Sequence, residues 1–348
     1  MTGVPTPDLP SPLTRRTALL GLLGAGALSG CSFEGMRVQV PGSATESPSP
    51  SASASPDVRA GDTEADERLL GRLVDELIPV LTLLTRTTSR HPALRGRLAP
   101  LSESLRTDLA TLRAAGPGGA TTTPSPTATA TATAVPASQD AALRSSVAAA
   151  TRLRDSLGRS ALAALSGRFA RLIASMAAAL SQRLSRLSST AASPTTRVPA
   201  LPATSSSDVG GDSPLQDALA GEHAAVYVYS VLGAQTSQSA QPEAYDDLTA
   251  AYTWHRGCRD RLVATLRERG LAPAPAAASY ALPNAVATPA QVTAAALVTE
   301  QRVTTLYGRL VQETVAGDRA WAVALLRESA LRQLGFGGSA ETFPGTTD

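Results

Sequence analysis

Arg267-Glu268-Arg269-Gly270-Leu271-Ala272-Pro273-Ala274-Pro275, continuing through Ser279-Tyr280-Ala281-Leu282-Pro283 to Thr288-Pro289-Ala290, is the stretch on which the fold turns. Its left end reads as a helix terminus: arginines suit the negative pole of a helix, and Gly270 accepts the left-handed conformation that closes one. A helix resumes after Thr288-Pro289-Ala290 and runs to Ala316. Leu271 to Ala287, rich in Pro and Ala, is therefore a long crossover. Upstream, the helix that ends here covers roughly 242–269. The one before it opens at Asp212-Ser213-Pro214, with Ser213 as cap and Pro214 in the first helical position. It carries the stripe Leu215, Leu219, Val226, Tyr229, Leu232 to about Ala234. Downstream, Gly317 breaks the pattern and Asp318 opens a last helix that ends near Gly335. The first two helices and the last two are joined by short connections, which makes each pair antiparallel neighbours.

Four helices with a single long crossover predict a ferritin-like bundle over residues 213–336. Farther upstream, apolar residues recur every three or four positions at Leu69, Leu73, Leu77 and Leu84, and again from Leu94 to Leu112. Thr63 and Asp66 offer a helix-start signature, and His91-Pro92 separates the two stripes. Residues 139–188 repeat the spacing, with Gly158 as a candidate division and no acidic residue from Leu162 to Leu187. The expected fold class is all-α: the C-terminal bundle plus an N-terminal helical bundle over 63–188, joined by disordered linkers. Those linkers are the Ser/Pro tether 31–62, the Thr/Ala stretch 116–138 and the Ser/Thr/Pro stretch 189–212. Residues 337–348 are expected to be a disordered tail. A duplication of one bundle type is a hypothesis that fails if helices 63–115 and 139–188 do not pack together.

Composition agrees with two regions of unequal quality. Ten of the 12 aromatic residues lie beyond residue 210, so the denser core belongs to the C-terminal bundle. All 31 basic residues are arginine, set against 29 acidic ones; a net charge of +2 argues against a nucleic-acid partner. Two cysteines cannot frame a disulfide scaffold. No glycine-rich phosphate loop or nucleophile elbow occurs, so nucleotide and serine-hydrolase chemistry lack support.

The first 30 residues read as a signal peptide. Arg15 and Arg16 precede an apolar run from Ala18 to Leu28, too short to span a bilayer, which ends in Leu28-Ser29-Gly30-Cys31. That ending has the form of a bacterial lipobox, with Cys31 as the lipidated residue. Thr14-Arg15-Arg16-Thr17-Ala18-Leu19-Leu20 is similar to a twin-arginine export motif. The expected location is the outer face of the cytoplasmic membrane, with the membrane held as a partner through lipid. Cys258 is then the remaining thiol, expected to be buried and inert.

Gly221-Glu222-His223-Ala224-Ala225-Val226-Tyr227, His255-Arg256-x-x-Arg259-Asp260, Ser279-Tyr280-Ala281-Leu282-Pro283 and Glu300 together resemble a ferritin-like domain of unassigned function (DUF4439-like) found in actinobacterial exported lipoproteins. The resemblance covers about 213–336 and implies descent from di-iron carboxylate proteins, not their activity. A working di-iron site takes one Glu from each of two helices and Glu-x-x-His from each of the other two. Glu222 and Glu300 can stand for the lone glutamates and His255 for one histidine, but Tyr252 occupies the position three before it. Glu328 is followed by Leu331 where the second histidine belongs.

Two functions follow. In the first, the bundle is a non-catalytic binding or scaffold module for an envelope partner, without a cofactor. Its inward charges are then paired, with Arg259 one turn from His255 forking onto Glu222 and Glu300. Arg256 and Asp260 are expected to pair on an adjacent face. In the second, Glu222, His255, Glu300 and Glu328 hold iron or manganese for an oxidoreductase. His223 is expected at the surface. Tyr227, Tyr229, Tyr252, Trp254 and Tyr307 are expected in core and crossover packing.

Overall fold

A computed structural model describes residues 60–116, 134–188, 194–203 and 213–346. The signal peptide with Arg15 and Arg16, the lipobox Cys31, nearly all of the tether and most of the Thr/Ala stretch lie outside the described residues. The chain is all-α, with eight helices and no strand among the described residues: α1 (Ala60–Arg90), α2 (Arg95–Ala115), α3 (Gln139–Ala163), α4 (Gly167–Leu187), α5 (Ser213–Ala234), α6 (Pro242–Glu268), α7 (Pro289–Glu313) and α8 (Ala316–Gly335).

Local chemistry sets these boundaries. Ser138 caps α3 by accepting from the Ala141 amide, and Ser166 caps α4 by accepting from Phe169. Thr288 and Gln291 form a reciprocal capping box at the start of α7, with Pro289 in the first turn. At the end of α6, Gly270 adopts φ +77°, while Gly270 and Leu271 donate back to Arg267 and Leu266. This paired return satisfies carbonyls that would otherwise lack partners. The opening of α1 differs from expectation. The helix begins at Ala60, before Thr63, so Asp66 is free for another task. Its carboxylate accepts the Leu165 and Ser166 amides at 2.9 and 2.8 Å, at the start of a different helix. An anion is favoured there by the exposed N–H groups and the helix dipole.

Helices 63–115 and 139–188 do pack together. Within α1–α4, α1 neighbours α2 and α3, and α3 neighbours α4; in α5–α8 the matching pairs are α5 with α6 and α7, and α7 with α8. Each set is a hairpin, a long crossover and a second hairpin. The two sets meet chiefly through α4, which packs against α2 and α3 and against α7 and α8, with α3 also touching α8. Every residue from Ile173 to Gln182 is buried. Within that run the all-round burial explains the missing acidic residues: a carboxylate on any face of 173–182 would be removed from water without a partner. Leucine and alanine seams of both sets belong to one contiguous core, from Leu69 to Leu331.

Two segments read from sequence as disordered are packed where they are described. In the stretch 194–203, Leu201 is buried, the Trp321 indole donates to the Pro199 carbonyl at 3.2 Å, and Arg269 donates to the Pro202 and Ala203 carbonyls. The tail after α8 lies against α4: Arg171 donates to the Gly345 carbonyl, Arg183 to that of Glu341, and the Glu341 amide donates to Gln182. Low-complexity composition supplies little apolar area, but these segments are held through backbone carbonyls, which every residue type provides.

Candidate functional site

Helices α5, α6 and α7 each turn one glutamate or histidine into the C-terminal bundle. Glu222, His255 and Glu300 are all fully buried. The imidazole lies between the two carboxylates, with Nδ1 3.0 Å from Glu222 Oε2 and Nε2 3.0 Å from Glu300 Oε1. A neutral imidazole has one N–H and can donate to only one of them, whereas the protonated ring donates to both. Burial works to strip that proton, but Glu222 and Glu300 outweigh it and push the His255 pKa up to about 9.

The two carboxylates are not equivalent. Burial pushes the Glu222 carboxyl up, against the pull of His255. Glu300 meets the same burial, yet His255, Arg332 and the Tyr229 hydroxyl hold it below the usual range. The hydrogen bonds explain the difference. Glu300 accepts from His255, from Tyr229 at 2.8 Å and from Ser329 at 2.8 Å, whereas Glu222 accepts from His255 and Tyr307. Each added donor stabilises the ionised form. Behind Ser329 the chain continues through the Thr304 hydroxyl at 2.8 Å to the Gln333 amide at 2.8 Å. The Tyr229 ring also stacks on His255, with centroids 5.2 Å apart and planes 13° from parallel.

Tyr229 and Tyr307 were expected only as packing residues, and their signal was present in the sequence. Tyr229 follows Glu222 by seven residues and Tyr307 follows Glu300 by seven, two helical turns that return to the same face. The exchange is reciprocal: the tyrosine of α5 serves the glutamate of α7, and the tyrosine of α7 serves the glutamate of α5. Ser329, Thr304, Gln333 and Arg332 carry no comparable signal.

Three sequence expectations about the site are corrected. Arg259 does not fork onto Glu222 and Glu300; it bonds Asp260, its chain neighbour, at 2.9 and 2.6 Å near the surface. The inward place one turn beyond His255 belongs to fully buried Cys258, so the guanidinium emerges at the rim. Because Asp260 is engaged with Arg259, Arg256 instead lies over the Tyr252 ring, 5.7 Å from its centroid. Glu328 does not reach the cluster. Its Oε2 accepts from the Thr195 amide at 2.7 Å, while Ser329, about 100° further round α8, takes the inward position. The arginine whose charge reaches both glutamates is Arg332, which lies 4.0 Å from the Trp254 ring centroid and donates to the Thr195 carbonyl.

The surrounding residues fall closer to expectation. His223 stays outside the cluster, its Nε2 3.2 Å from the Ala274 carbonyl, and so holds the crossover. Tyr227 packs against Tyr280 of the crossover at 5.6 Å. Cys258 is buried, and burial pushes its thiol well above the ordinary range, which keeps it unreactive.

As placed, these residues do not fit a two-metal centre. Ligands must converge on an ion, but Glu222 and Glu300 sit against opposite nitrogens of one ring and point toward it, not toward a shared point. Among the described residues, no group of three or more His, Cys, Asp and Glu is placed to hold a metal ion. What the arrangement does chemically is hold one imidazolium between two carboxylates in a dry interior, with each carboxylate oxygen hydrogen-bonded.

Residues 214–348 match the protein family described as a domain of unknown function, DUF4439. The chain is also similar to a solved structure, a conserved hypothetical protein from Mycobacterium tuberculosis, at 31% identity over 36% of this chain and 93% of that chain, with a TM-score of 0.33. No curated protein matches. The packed tail falls inside the family's boundary, beyond the limit at 336 that helix periodicity suggested. The C-terminal bundle of this chain is a DUF4439 domain.

Proposed function

We propose that this chain is an envelope lipoprotein in which a ferritin-like bundle has lost its metal chemistry and serves as a non-catalytic binding or scaffold module. The observation that carries this reading is His255 with both ring nitrogens engaged by carboxylates. A metal site needs those same carboxylates to converge on an ion; here the imidazolium takes the place of positive charge between them. Leu28-Ser29-Gly30-Cys31 supports anchoring by lipid at the outer face of the cytoplasmic membrane, and the actinobacterial exported lipoproteins that this domain resembles support the same setting. No described helix is long and apolar enough to cross a membrane.

The test is elemental analysis of the full chain purified from its native host. Iron and manganese well below one per chain are expected. Stoichiometric metal that disappears in Glu222→Ala overturns the scaffold reading in favour of the competing one, an oxidoreductase using Glu222, His255 and Glu300. That alternative is supported by the types and burial of the three residues, and it requires His255 to turn so that one nitrogen faces both carboxylates. Anchoring is tested separately: Cys31→Ala moves the chain from the membrane fraction to the soluble one, and unchanged fractionation removes the lipid from the proposal.

A further inference from the structure

The first hairpin turn of each bundle lies at the same end of the molecule, and the two turns carry opposite charge. In the N-terminal bundle, His91 Nε2 lies 2.9 Å from the Pro136 carbonyl and Ser146 donates to Thr87. The α1–α2 turn therefore sits beside the start of α3 and, across the α3–α4 hairpin, the end of α4. In the C-terminal bundle, Tyr229, Leu248, Val292 and Phe336 share one cluster, which brings the α5–α6 turn beside the start of α7 and the end of α8. Helices α4 and α8 run in the same direction. Arg319 at the start of α8 donates to the Ala164 carbonyl just before α4; near the other ends, Gln182 donates to Ala330 and Arg186 to Gly338. The α1–α2 and α5–α6 turns are thus side by side at one end.

The N-terminal bundle is basic there. From Leu77 to Ser102 the chain has Arg86, Arg90, Arg95 and Arg97 and no acidic residue. All four are exposed, and none has an ion-pair partner among the described residues. Asp140 in the first turn of α3 is offset by Arg144, one turn further on, and the chain between α2 and α3 holds no charged side chain. The C-terminal bundle is acidic at this end. Glu243, Asp246 and Asp247 are exposed in the first two turns of α6. No arginine occurs from 213 to 255, from 289 to 301 or from 333 to 346. Arg332, in the last turn of α8, is buried and donates to the Thr195 carbonyl. The three carboxylates therefore repel one another without a cation between them: burial, then Asp246 and Glu243, push the Asp247 carboxyl up.

We infer that this end is a self-recognition face, on which two copies of the chain meet end to end about a two-fold axis. Because the basic and acidic poles lie side by side, a half-turn about the long axis sets the basic pole of each copy against the acidic pole of the other. An isologous contact of this kind makes the same attraction twice and closes as a dimer. The charge complementarity favours a second copy over a foreign partner: a partner of one sign would be drawn to one pole and repelled by the other. Leu162 and Leu165, the exposed large apolar side chains, lie at the opposite end, at the α3–α4 turn. Attraction at the charged end is therefore electrostatic, which sets orientation and encounter rate and is weakened by salt. The pairing does not depend on a lipid at Cys31.

The experiment uses the chain from residue 31 with Cys31→Ser, which carries no acyl group, and follows its mass by sedimentation equilibrium up to about 1 mM chain. A monomer–dimer equilibrium with no larger species is expected at low salt. It should weaken as added salt brings the screening length to about 10 Å at 0.1 M. Arg86→Glu, Arg90→Glu, Arg95→Glu and Arg97→Glu together make both poles of a copy acidic. Glu243→Arg, Asp246→Arg and Asp247→Arg together make both basic. Each set alone should raise the dimer Kd by at least about tenfold. Mixing the two variants should restore a 1:1 dimer, because every acidic pole again meets a basic one; that recovery also shows that neither variant failed through misfolding. A chain that stays monomeric at low salt overturns the inference, as does a dimer that either set leaves unchanged. Growth beyond the dimer rules out the two-fold arrangement, and variants that do not recombine rule out the pairing of poles. None of these outcomes touches the Cys31→Ala fractionation, so failure of the self-recognition face and failure of the lipid anchor are distinguishable.

Discussion

The two bundles share a pattern of neighbours but treat buried charge in opposite ways. Asp108 is the fourteenth residue of α2, as His255 is of α6, and Arg183 is the seventeenth of α4, as Arg332 is of α8. In the C-terminal bundle, the group at this level is bonded on both sides and surrounded by hydroxyl donors. In the N-terminal bundle, Asp108 is fully buried and neither of its carboxylate oxygens has a hydrogen-bond partner; Ser104 and Ser175 hydroxyls are likewise unpartnered. Burial pushes the Asp108 pKa up to about 7, with Arg183 opposing. A charge inside a bundle is sustained by the completeness of its partners, not by the presence of one opposite charge nearby.

Breaking the complete set should give the largest effect. Glu222→Ala leaves the buried His255 Nδ1–H without an acceptor, and His255→Ala leaves two buried carboxylates without the cation between them; the latter should destabilise the fold by about 3–5 kcal/mol in chemical denaturation, the former somewhat less. Replacing Glu222, His255 and Glu300 together by apolar residues of similar volume should cost less than either single change. A single-site loss under about 1 kcal/mol would mean that the network does not hold the bundle.

The pH dependence separates the halves. Asp108 has a folded pKa above its unfolded one, so its protonated form is the stable one in the native state. Its contribution is complete below about pH 4 and is lost as pH rises through about 7, on the order of a few kcal/mol. His255 is also raised, to about 9. It contributes fully below about pH 6.5, its ordinary value, and that contribution is lost as pH rises through 9. Hydrogen exchange followed peptide by peptide should therefore show α2 and α4 loosening in the lower window and α5–α7 in the higher one. Asp108→Asn should flatten only the lower transition; if both transitions move together, the two polar centres are not separate.

A smaller effect is expected where the halves touch. A Cβ on Gly167 would fall inside the contact distance of the Gln312 backbone, which has no flexible end to move aside. Gly167→Ala should lower stability by about 1–3 kcal/mol, measured by thermal unfolding. The smallest change belongs to Arg259. Its pair with Asp260 is exposed, so Arg259→Ala should shift stability by no more than about 0.5 kcal/mol. A large loss there would restore it to the interior network.

Helix positions were legible because spacing, caps and breakers act within one or two turns. The crossover, α5–α8 and the grouping of Glu222, His255 and Glu300 followed from such local rules together with family likeness. Which long side chain completes the cluster did not follow. Arg259 and Arg332 are both arginines on inward-leaning helices, and the choice between them depends on Trp254 and the Thr195 carbonyl, brought close only by the fold. The same holds for Glu328, whose partner is a backbone amide in a stretch that composition marks as formless. The Glu-to-Tyr spacing of seven was visible, but its meaning depended on how α5 and α7 lie against each other.

The buried run of α4 has a consequence for any attempt to isolate the C-terminal domain. With α4 absent, the strip of α7 and α8 that it covers would face water, and the carbonyls of the tail from Glu341 to Gly345 would lose the arginines that hold them. A chain beginning at residue 213 should therefore self-associate through that strip, or be soluble only when something else lies along it. In this protein the N-terminal helices act as a built-in second subunit.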